Sequence, residues 1–529
     1  MKLLRETKVY GFNSTSTGVY VGYMGIDVVK VDLKDGNLIS VEKYPYLKYD
    51  EKSAILNVIK GQTEGRISIV LPELTYFLRK KNTRVLLILM PGPCLRPPLG
   101  LAEKCIVLSG YIDPRGEILE DVDLSNLKDI ISEGDIDGIA IVSKFSIRRP
   151  KLERDVMKYV SQLGMKNIVM SFRLPYFNYI RRSATTIVSA KIRPFLLEFL
   201  KEMRKDEIRR LFLMRGNGGV VPADIVLEMP AMLLGAEVSS LTMGIRGVME
   251  NVTGTMINIG RHSINIVSMK EGKVNYVPFH FHGIPTFAYM PEHRKVPISM
   301  NCKVAVSGDT VKVLQEEETP AVFGGNMLTV LDAVVYYLDL NIGDRRRMKN
   351  VINAYAKSRG MNPKDLAEEV LEYVVRLVRK ELISMGRKGP LIAGGALSGH
   401  LVRVLAKDLG LQYVIPKHHE YINAIGAAIS SLSLEVGVYV NTYDSRAIFI
   451  PSGRILKLDK TDIGIDDVLN MAEGELKSIA RYYGVEEFIK NIRIVYLNKC
   501  SLIKENLPQG YMITCIIRAE PDIMVRING

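Results

Sequence analysis

Cysteine is scarce in this sequence and never closely paired. Five cysteines occur in 529 residues, and no two of them form a C-x-x-C motif. This distribution excludes a disulfide framework and gives no indication of a structural zinc site. Tryptophan is absent. Together with the many charged residues, its absence suits a heat-adapted surface.

Long apolar runs are also missing. No stretch approaches the ~18 apolar residues of a membrane-spanning helix, and the longest apolar-rich segment, residues 423–440, contains Glu435. The first ten residues, MKLLRETKVY, place Arg5 and Glu6 where a secretory signal would be apolar. We therefore predict a cytoplasmic protein without a membrane partner.

The sequence lacks the local signatures of several common enzyme classes. It contains neither G-x-S-x-G nor a P-loop lysine, so covalent hydrolase and P-loop chemistry have no support. The formal net charge is +13. Acidic residues nevertheless interleave with the basic clusters, and aromatic residues do not alternate with them, so we predict no nucleic-acid partner.

The most informative positive feature is a segment that occurs twice. Residues 20–36 (YVGYMGIDVVKVDLKDG) and residues 256–272 (MINIGRHSINIVSMKEG) each read as a strand, a turn beginning with glycine, and a second strand. Tight hairpins aim successive backbone N–H groups at one anion. The repeat predicts two lobes that each present a hairpin loop to the phosphates of a nucleotide.

Short β-like runs alternate with helical stretches along most of the chain, which is typical of an α/β protein. The last ninety residues change character, with a helix followed by two strands, and are predicted to form a small α+β unit. The predicted domains are residues 1–175, 176–438 and 439–529. The clearest helices are predicted at residues 152–163, 183–203, 364–385 and 465–482.

Several segments resemble motifs of the A-type subunit of the hydantoinase/oxoprolinase family. Residues 145–154 (FSIRRPKLER) resemble its F-S-x-x-N-P-x-H-E-R turn, and residues 182–190 (RSATTIVSA) resemble its R-T-S-T-T-V-V-N-A helix start. Residues 329–333 (TVLDA) resemble T-V-T-D-A, and residues 393–400 (AGGALSGH) resemble F-G-G-A-G-P-L-H. The resemblance extends from Gly18 to Leu432.

The resemblance implies a two-lobed, actin-like (ribonuclease H-like) α/β fold that binds a nucleotide, with a small C-terminal α+β domain. It also implies an ATP-dependent hydrolase of cyclic amides, of the hydantoin or 5-oxoproline type, with carboxylase relatives. ATP and Mg²⁺ are the cofactors of that chemistry, in which ATP activates the ring amide for attack by water. The implied partner is a B-type subunit or a second copy of the chain.

The first phosphate loop departs from the family's D-x-G-G-T-F-T-D. At residues 20–27, Tyr20 replaces the leading acid, while Gly22 and the last acid, Asp27, are kept. Asp27 is therefore a candidate catalytic acid. A second alignment places this loop at residues 13–18 (NSTSTG), with Asn13 in the acid's position.

The second phosphate loop, D-x-G-G-T-S-T-D in the family, has lost both acids to amides, at Asn258 and Asn265. Amides keep hydrogen bonding but not the charge that holds a divalent metal. Arg261, at a glycine position, either binds phosphate or occupies the emptied metal site. The two loops supply these nucleotide-binding candidates: Gly22, Asn258, Gly260, Arg261, His262 and Ser263.

The family's glycine-rich turn is kept as Gly394, Gly395 and Ala396. In actin-like folds this turn lies under the adenine and ribose, so the resemblance implies that the three residues bind a nucleotide. The alternative explanation is close packing at a strand-to-helix bend.

Three further residues are candidates for chemistry. Asp332 matches the acid of T-V-T-D-A and is the second catalytic candidate, with a helix cap as the alternative. His280 and His282 have the spacing that puts two imidazoles on one face of a strand, where they would chelate a transition metal. Their alternative is a solvated strand end.

Two functional hypotheses follow. The first is an ATP-dependent cyclic-amide hydrolase that is weakened or inactive at its phosphate site. The second is a non-catalytic structural or regulatory partner of a B-type subunit. The first hypothesis requires another acid, such as Asp27 or Asp332, to reach the metal in place of those lost at positions 20, 258 and 265.

Overall fold

The computed structural model describes residues 14–22, 25–45, 51–62, 65–71, 74, 78, 83–93, 100–132, 135–201, 203–260, 262–307, 310–386, 389–459, 463–504 and 507–528. Asn13 and Arg261 lie outside these ranges. The strands are β1 (Thr15–Val21), β2 (Gly25–Asp32), β3 (Leu38–Pro45), β4 (Arg66–Val70), β5 (Val85–Met90), β6 (Lys104–Val107), β7 (Tyr111–Ile112), β8 (Ile118–Glu120), β9 (Gly138–Ser143), β10 (Ile168–Met170), β11 (Leu211–Met214), β12 (Val220–Pro222), β13 (Gly254–Ile259), β14 (Ile264–Met269), β15 (Tyr276–Phe281), β16 (Ile284–Pro291), β17 (His293–Val296), β18 (Cys302–Ser307), β19 (Thr310–Glu317), β20 (Leu391–Gly394), β21 (Tyr413–Val414), β22 (Glu435–Asn441), β23 (Arg446–Ile450), β24 (Arg454–Lys457), β25 (Asn491–Lys504) and β26 (Leu507–Glu520).

The helices of the described residues are α1 (Glu51–Gly61), α2 (Leu127–Ser132), α3 (Lys151–Gln162), α4 (Tyr179–Leu200), α5 (Lys205–Arg210), α6 (Ala223–Val226), α7 (Ala236–Val248), α8 (Val330–Tyr337), α9 (Arg345–Lys357), α10 (Pro363–Ser384), α11 (Ser398–Leu409), α12 (Ile422–Ile429) and α13 (Ile465–Tyr482). None of them combines the length and the apolar character that crossing a bilayer demands.

The first copy of the repeat lies inside a six-stranded sheet of order β12-β11-β4-β1-β2-β3. β1 and β2 form an antiparallel hairpin, and β4 runs parallel to β1 on its other side. Nearly all side chains of β1 and β4 are buried, as expected for strands in a layer covered on both faces. β11 and β12 belong to this sheet, which therefore continues beyond residue 175, the first predicted domain boundary.

The second copy of the repeat occupies the same place in a five-stranded sheet of order β17-β14-β13-β20-β21. β13 and β14 form the antiparallel hairpin, and β20 runs parallel to β13 on its other side. In both sheets a third strand, β3 or β17, then pairs antiparallel with the outer strand of the hairpin. The structure confirms a mixed α/β fold, and the sequence repeat corresponds to a repeated sheet topology.

The predicted helices are present with small shifts at their ends. Residues 152–163 were predicted for α3, and 364–385 for α10, each within one residue of the observed bounds. α4 begins four residues earlier than predicted, because the Asn178 side chain caps it by accepting a hydrogen bond from the backbone N–H of Arg181. α3 and α4 contact a parallel sheet of order β10-β9-β5-β6.

The C-terminal part is an antiparallel sheet of order β24-β23-β22-β26-β25 with α13 packed against it. β22 begins at Glu435, just before the predicted boundary at residue 439. β25 and β26 are longer than the predicted runs 492–497 and 511–518. The outer ends of β25 and β26 extend past β22 and pair only with each other. Apolar and polar residues alternate less regularly there, so the sequence signal for a strand is weaker.

Two helices lie between the two repeated sheets and pack with little side-chain material between them. A Cβ atom on Gly18 of β1 would lie 1.9 Å from the carbonyl oxygen of Ala424 in α12. A Cβ atom on Gly426 of α12 would lie 1.9 Å from the carbonyl oxygen of Ser240 in α7, and one on Gly244 would lie 2.0 Å from that of Ile422. The far face of α7 packs on the second sheet. The layers therefore run in the order first sheet, α12, α7, second sheet.

Candidate functional site

An equivalent backbone hydrogen bond closes each of the two hairpin turns. The N–H of Gly22 donates a hydrogen bond to the carbonyl of Gly25 at 3.0 Å, and the N–H of Gly260 donates to that of Ser263 at 2.9 Å. Residues 15–18 of the second alignment lie within strand β1. Residues 20–27 carry the first hairpin.

One row of side chains crosses each sheet beside its hairpin turn. In the first sheet, Tyr20 pairs with Asp27, and Asp27 pairs with Lys43 of β3. In the second, Asn258 pairs with Asn265, and Asn265 pairs with Lys295 of β17. Directly opposed residues share one face of a sheet. The sequence Tyr-Asp-Lys in one lobe thus corresponds to Asn-Asn-Lys in the other.

A hydrogen bond joins the first hairpin to the start of α7. The hydroxyl of Tyr20 donates to Oε1 of Glu237 at 2.9 Å, and both side chains are 7% exposed. The same carboxyl lies against the second hairpin, since a Cβ on Gly260 would approach Oε1 of Glu237 to 2.1 Å. Glu237 therefore lies between the two hairpins.

Burial controls the ionisation of Glu237. Removal from water raises the pKa of this carboxyl to about 7, and the hydrogen bond from Tyr20 opposes the shift. A carboxyl titrating near neutral pH in an enclosed position is a candidate functional group.

Asp27 is committed to a neighbouring strand. Its carboxylate forms an ion pair with the Nζ of Lys43 at 3.4 Å. Burial raises the pKa of Asp27 to about 6, although the Lys43 ammonium lowers it. Asp27, the candidate catalytic acid of the first loop, is thus already paired with Lys43.

The glycine-rich turn packs against the second hairpin. A Cβ on Gly394 would lie 2.1 Å from Cδ1 of Leu241 in α7, and Gly395 has φ of +106° with its N–H donating to the carbonyl of His419 at 2.8 Å. Ser398 accepts from the N–H of Ile259 and donates to the carbonyl of Gly394. Gly394 thus packs closely against Leu241, Gly395 has a backbone conformation that favours glycine, and Ala396 beside them is half-buried.

Asn258 is the unsatisfied group at this junction. Neither Oδ1 nor Nδ2 of this buried amide has a hydrogen-bond partner within the described parts of the chain. Its Oδ1 lies 2.8 Å from the position that a Cβ on Gly395 would take. A buried amide without partners is costly unless a ligand or water completes its bonding.

A side chain at the tip of the second hairpin forms a hydrogen bond with the end of strand β19. Nδ1 of His262 lies 2.9 Å from Oε1 of Glu317 at the end of β19. Ser263 is fully buried within the turn. These two nucleotide-binding candidates are therefore held by protein groups.

A cavity of about 400 Å³ lies beside Glu237 and the second sheet. Its walls are largely apolar, and its polar lining consists of Glu237, Asn265, His280, His293 and Lys295. Burial lowers the pKa of Lys295 to about 8. The cavity therefore brings a carboxyl, an amine and imidazoles to one cleft of the surface.

His280 and His282 do not form the predicted pair on a strand face. β15 ends at Phe281, and His282 lies in the following turn with φ of +47°. The turn breaks the two-residue alternation on which the prediction depended. Among the described residues, no cluster of three or more His, Cys, Asp or Glu side chains is arranged to hold a metal ion.

These residues fit Mg²⁺ poorly. The cation prefers several oxygen ligands, including carboxylates. Asp27 is paired with Lys43, Glu237 accepts from Tyr20, and the acids of the second hairpin are amides. The described residues therefore present no free carboxylate pair at the hairpins.

Asp332 lies at the start of α8 and is fully buried. Its carboxylate accepts hydrogen bonds from the backbone N–H groups of Ala321, Val322 and Thr329 and from the Thr329 hydroxyl. Its own N–H donates to the Thr329 hydroxyl, completing a capping box. This is the helix-cap role, with the carboxylate oxygens occupied by neighbouring backbone.

The two motifs that resembled the family most specifically meet in one buried network. Arg182 donates to Ser146, Ser171 and the carbonyls of Ser143 and Lys144. Glu153 accepts from the N–H groups of Ser143 and Phe172 and from the Ser171 hydroxyl. Both side chains are fully buried. These motifs stabilise the first lobe.

The chain was compared with known proteins and structures. No family model matches it, and no curated protein is significantly similar in sequence. Nucleotide-free acetone carboxylase, from a study of ATP-dependent acetone carboxylation, is similar in structure with a TM-score of 0.69 and 14% identity, over 95% of this chain and 88% of that one. The chain shares its fold. ATP-dependent caprolactamase from Pseudomonas jessenii gives a TM-score of 0.56 and 16% identity, over 95% and 87% of the two chains.

Sequence reasoning missed three charged residues of this site. Glu237 is separated from Tyr20 by 217 residues, and its segment matched no family motif well. Lys43 and Lys295 lie on equivalent strands, opposite Asp27 and Asn265. The two lysines were missed because the number of residues from Asp27 to Lys43 differs from the number from Asn265 to Lys295. One sequence signal for Glu237 is a lone acid in the first turn of an otherwise apolar helix start.

Replacing Gly260 by alanine is expected to destabilise the protein by about 1–3 kcal/mol, because the added Cβ displaces the Glu237 carboxyl from between the hairpins. Urea unfolding followed by circular dichroism measures the change. Gly474 in α13 has open space around it. Its replacement by alanine is the control and should stabilise the protein by about 0.5–1 kcal/mol. Equal effects of the two substitutions would contradict the assignment.

Proposed function

We propose that this chain is a hydantoinase/oxoprolinase A-like protein with an actin-like nucleotide-binding fold, whose phosphate site is too altered for ordinary Mg²⁺-ATP chemistry. The two matching sheets with a hairpin turn each, and the similarity in fold to two enzymes whose descriptions name ATP, support the fold part of the proposal. The family part rests on the sequence motifs.

One observation carries the functional part: the hydrogen bond between Tyr20 and Glu237. Tyr20 stands where the family's first loop has its leading acid, and its ring and hydroxyl extend to Glu237 between the hairpins. Phosphoryl transfer depends on cations that neutralise charge developing on the phosphate oxygens. Here Tyr20 replaces the acid that would organise such a cation. The carboxyl of Glu237 accepts a hydrogen bond from the Tyr20 hydroxyl.

Nucleotide binding without turnover remains supported by other groups. Both hairpins keep a tight turn of the kind that can aim backbone at an anion, each closed by a hydrogen bond from the N–H of Gly22 or Gly260. Lys43 and Lys295 supply positive charge in equivalent positions. The unpaired amide of Asn258 lies next to Gly395 in the glycine-rich turn. We propose that a nucleotide bound here stabilises one arrangement of the lobes, and that the chain acts as a structural or regulatory partner of a B-type subunit.

A second candidate function is an active ATP-dependent cyclic-amide hydrolase. The observation in its favour is the cavity that holds Glu237 and Lys295 beside the second hairpin. With a pKa of about 7, Glu237 would supply a general base for the attacking water, in place of the acids lost from the loops.

Calorimetric titration with ATP, with and without Mg²⁺, tests the proposal. We expect ATP to bind with the same affinity in both conditions, and no phosphate release in the presence of hydantoin or 5-oxoproline. Asn258→Ala should weaken ATP binding about tenfold, since it removes a buried hydrogen-bonding group. Asn498→Ala, an exposed site on β25, is the matched control and should leave binding unchanged.

Two outcomes would overturn this proposal. Mg²⁺-dependent phosphate release that disappears in Glu237→Gln would establish the hydrolase instead. Absence of any ATP heat, with correctly folded protein in both conditions, would remove nucleotide binding from the function of the chain.

A further inference from the structure

A second cavity, of about 450 Å³, lies where the first sheet, α7 and the C-terminal sheet meet. Four arginines line it, and we call it the arginine cavity: Arg215 after β11, Arg246 of α7, Arg493 of β25 and Arg518 of β26. Its volume is in the range of small-molecule sites. None of these residues takes part in the hairpin site.

The charges around the arginine cavity do not cancel. Glu435 and Glu520 also line it, and Asp522 pairs with Arg246 at 2.6 Å. Four guanidinium groups therefore face three carboxylates, which leaves one positive charge in excess. Arginine presents a planar set of donors that matches carboxylate and phosphate oxygens.

The buried part of the cavity is fixed, and one donor in it is unused. Nε of Arg518 donates to Glu435 at 2.7 Å, and Nη2 of Arg518 donates to the hydroxyl of Tyr176 at 3.1 Å. Arg215 is 7% exposed, and its Nη1 donates to the backbone and side chain of Ser433. Its Nε has no hydrogen-bond partner among the residues that the structure describes. Arg215, which lines the cavity, therefore keeps one buried N–H without a hydrogen-bond partner.

The outer part of the cavity is held loosely. Arg493 is 72% exposed, and its Nη1 lies 4.0 Å from Oε1 of Glu520, beyond hydrogen-bond distance. Arg518 Nη1 lies 3.7 Å from the same oxygen. An oxyanion entering here competes only with these long contacts.

Aromatic rings form another wall. Phe287 stacks on Tyr176 with ring centroids 4.3 Å apart and planes inclined by 12°. Tyr276 and Tyr289 extend the same wall. The Arg181 guanidinium lies 4.3 Å from the centre of the Phe287 ring, so protein groups cover both faces of this ring and the wall is rigid.

We propose that the arginine cavity binds a small ligand carrying a carboxylate or phosphate group, with the oxyanion between Arg215, Arg493 and Arg518. The site is separate from the hairpins and does not depend on the function proposed for them. Its anion specificity is set by the donors that the protein leaves unpaired.

Calorimetry at low ionic strength with the full-length protein tests this proposal, using inorganic phosphate and benzoate as separate probes. We expect saturable binding of at least one probe, and the two arms distinguish a phosphate site from a carboxylate site. Arg493→Gln should weaken binding about tenfold, the value of one charged hydrogen bond. Glu520→Gln should tighten it, because the competing carboxylate is removed.

Arg526→Gln is the matched control, since Arg526 is exposed and pairs with Glu250 outside the cavity. It removes the same charge and should leave binding unchanged. Circular dichroism confirms that each variant is folded, and Arg493 is exposed enough for its loss to spare the fold. Saturable binding by neither probe, or equal weakening by Arg493→Gln and Arg526→Gln, would overturn the proposal.

Discussion

Replacing Arg182 by methionine is expected to lower the free energy of unfolding by about 3–5 kcal/mol, the cost of breaking a buried charge network by removing one partner. Arg182 is fully buried and makes four hydrogen bonds to residues 143–146 and 171. Its positive charge also opposes the effect of burial, which raises the pKa of Glu153. Without the arginine, the Glu153 carboxylate remains inside the protein with no compensating charge.

Urea unfolding of Arg182→Met, Glu153→Gln and the double variant measures this network. The double variant should lose less stability than the sum of the two single variants, with a coupling of about 0.5–3 kcal/mol for groups in one network. Arg526→Met removes an exposed arginine and should change stability by less than about 0.5 kcal/mol. A loss below about 1 kcal/mol in Arg182→Met would show that the network is dispensable.

Replacing Glu237 by glutamine is expected to raise stability at pH 8 by about 3 kcal/mol and to change it little at pH 5. The folded protein holds the pKa of Glu237 at about 7, above the ordinary value of 4.5. Because its pKa is raised, Glu237 binds its proton more tightly in the folded state than in the unfolded state. The stabilisation from this proton is fully present below pH 4.5 and is lost as the pH rises through 7. At about 1.4 kcal/mol for each pH unit, this rise of the pKa corresponds to about 3 kcal/mol.

Urea midpoints at pH 5, 6, 7 and 8 measure this effect. The glutamine variant should have a flatter profile, with a remaining slope from Asp27, whose pKa is raised to about 6. Tyr20→Phe removes the donor that favours the charged carboxyl, so it should displace the wild-type slope to higher pH. Glu250→Gln, at an exposed glutamate, should leave the profile unchanged. Identical profiles for Glu237→Gln and wild type would contradict the assignment.

The hairpins and helices could be predicted because their signals are local. A turn glycine between two short apolar strands, or an apolar stripe after Asn362 and Pro363, is complete within about twenty residues of sequence. The lost acids at positions 20, 258 and 265 could be read in the same way. The observed registers place Tyr20 opposite Asp27 and Asn258 opposite Asn265.

The partners of these residues could not be predicted because they are set by tertiary contact. Lys43 follows Asp27 by 16 residues, whereas Lys295 follows Asn265 by 30, because the β15–β16 hairpin is inserted between the second and third strands. Glu237 reaches Tyr20 only when α7 packs between the sheets. Asp332 matched a motif, but its surroundings make it a helix cap.

The glycine contacts of α12 have a mechanical consequence. The backbone of α12 touches β1 at Gly18 and α7 at Gly426. The lobes therefore cannot move closer along the line that joins these two contacts. Rotation about that line is the motion that the contacts leave free. α12 is in this sense a pivot. Tyr20 lies two residues from Gly18, and Glu237 lies one turn before Ser240, so their hydrogen bond is next to the pivot. Rotation of the lobes about α12 therefore displaces residues far from this line more than it displaces the hydrogen bond.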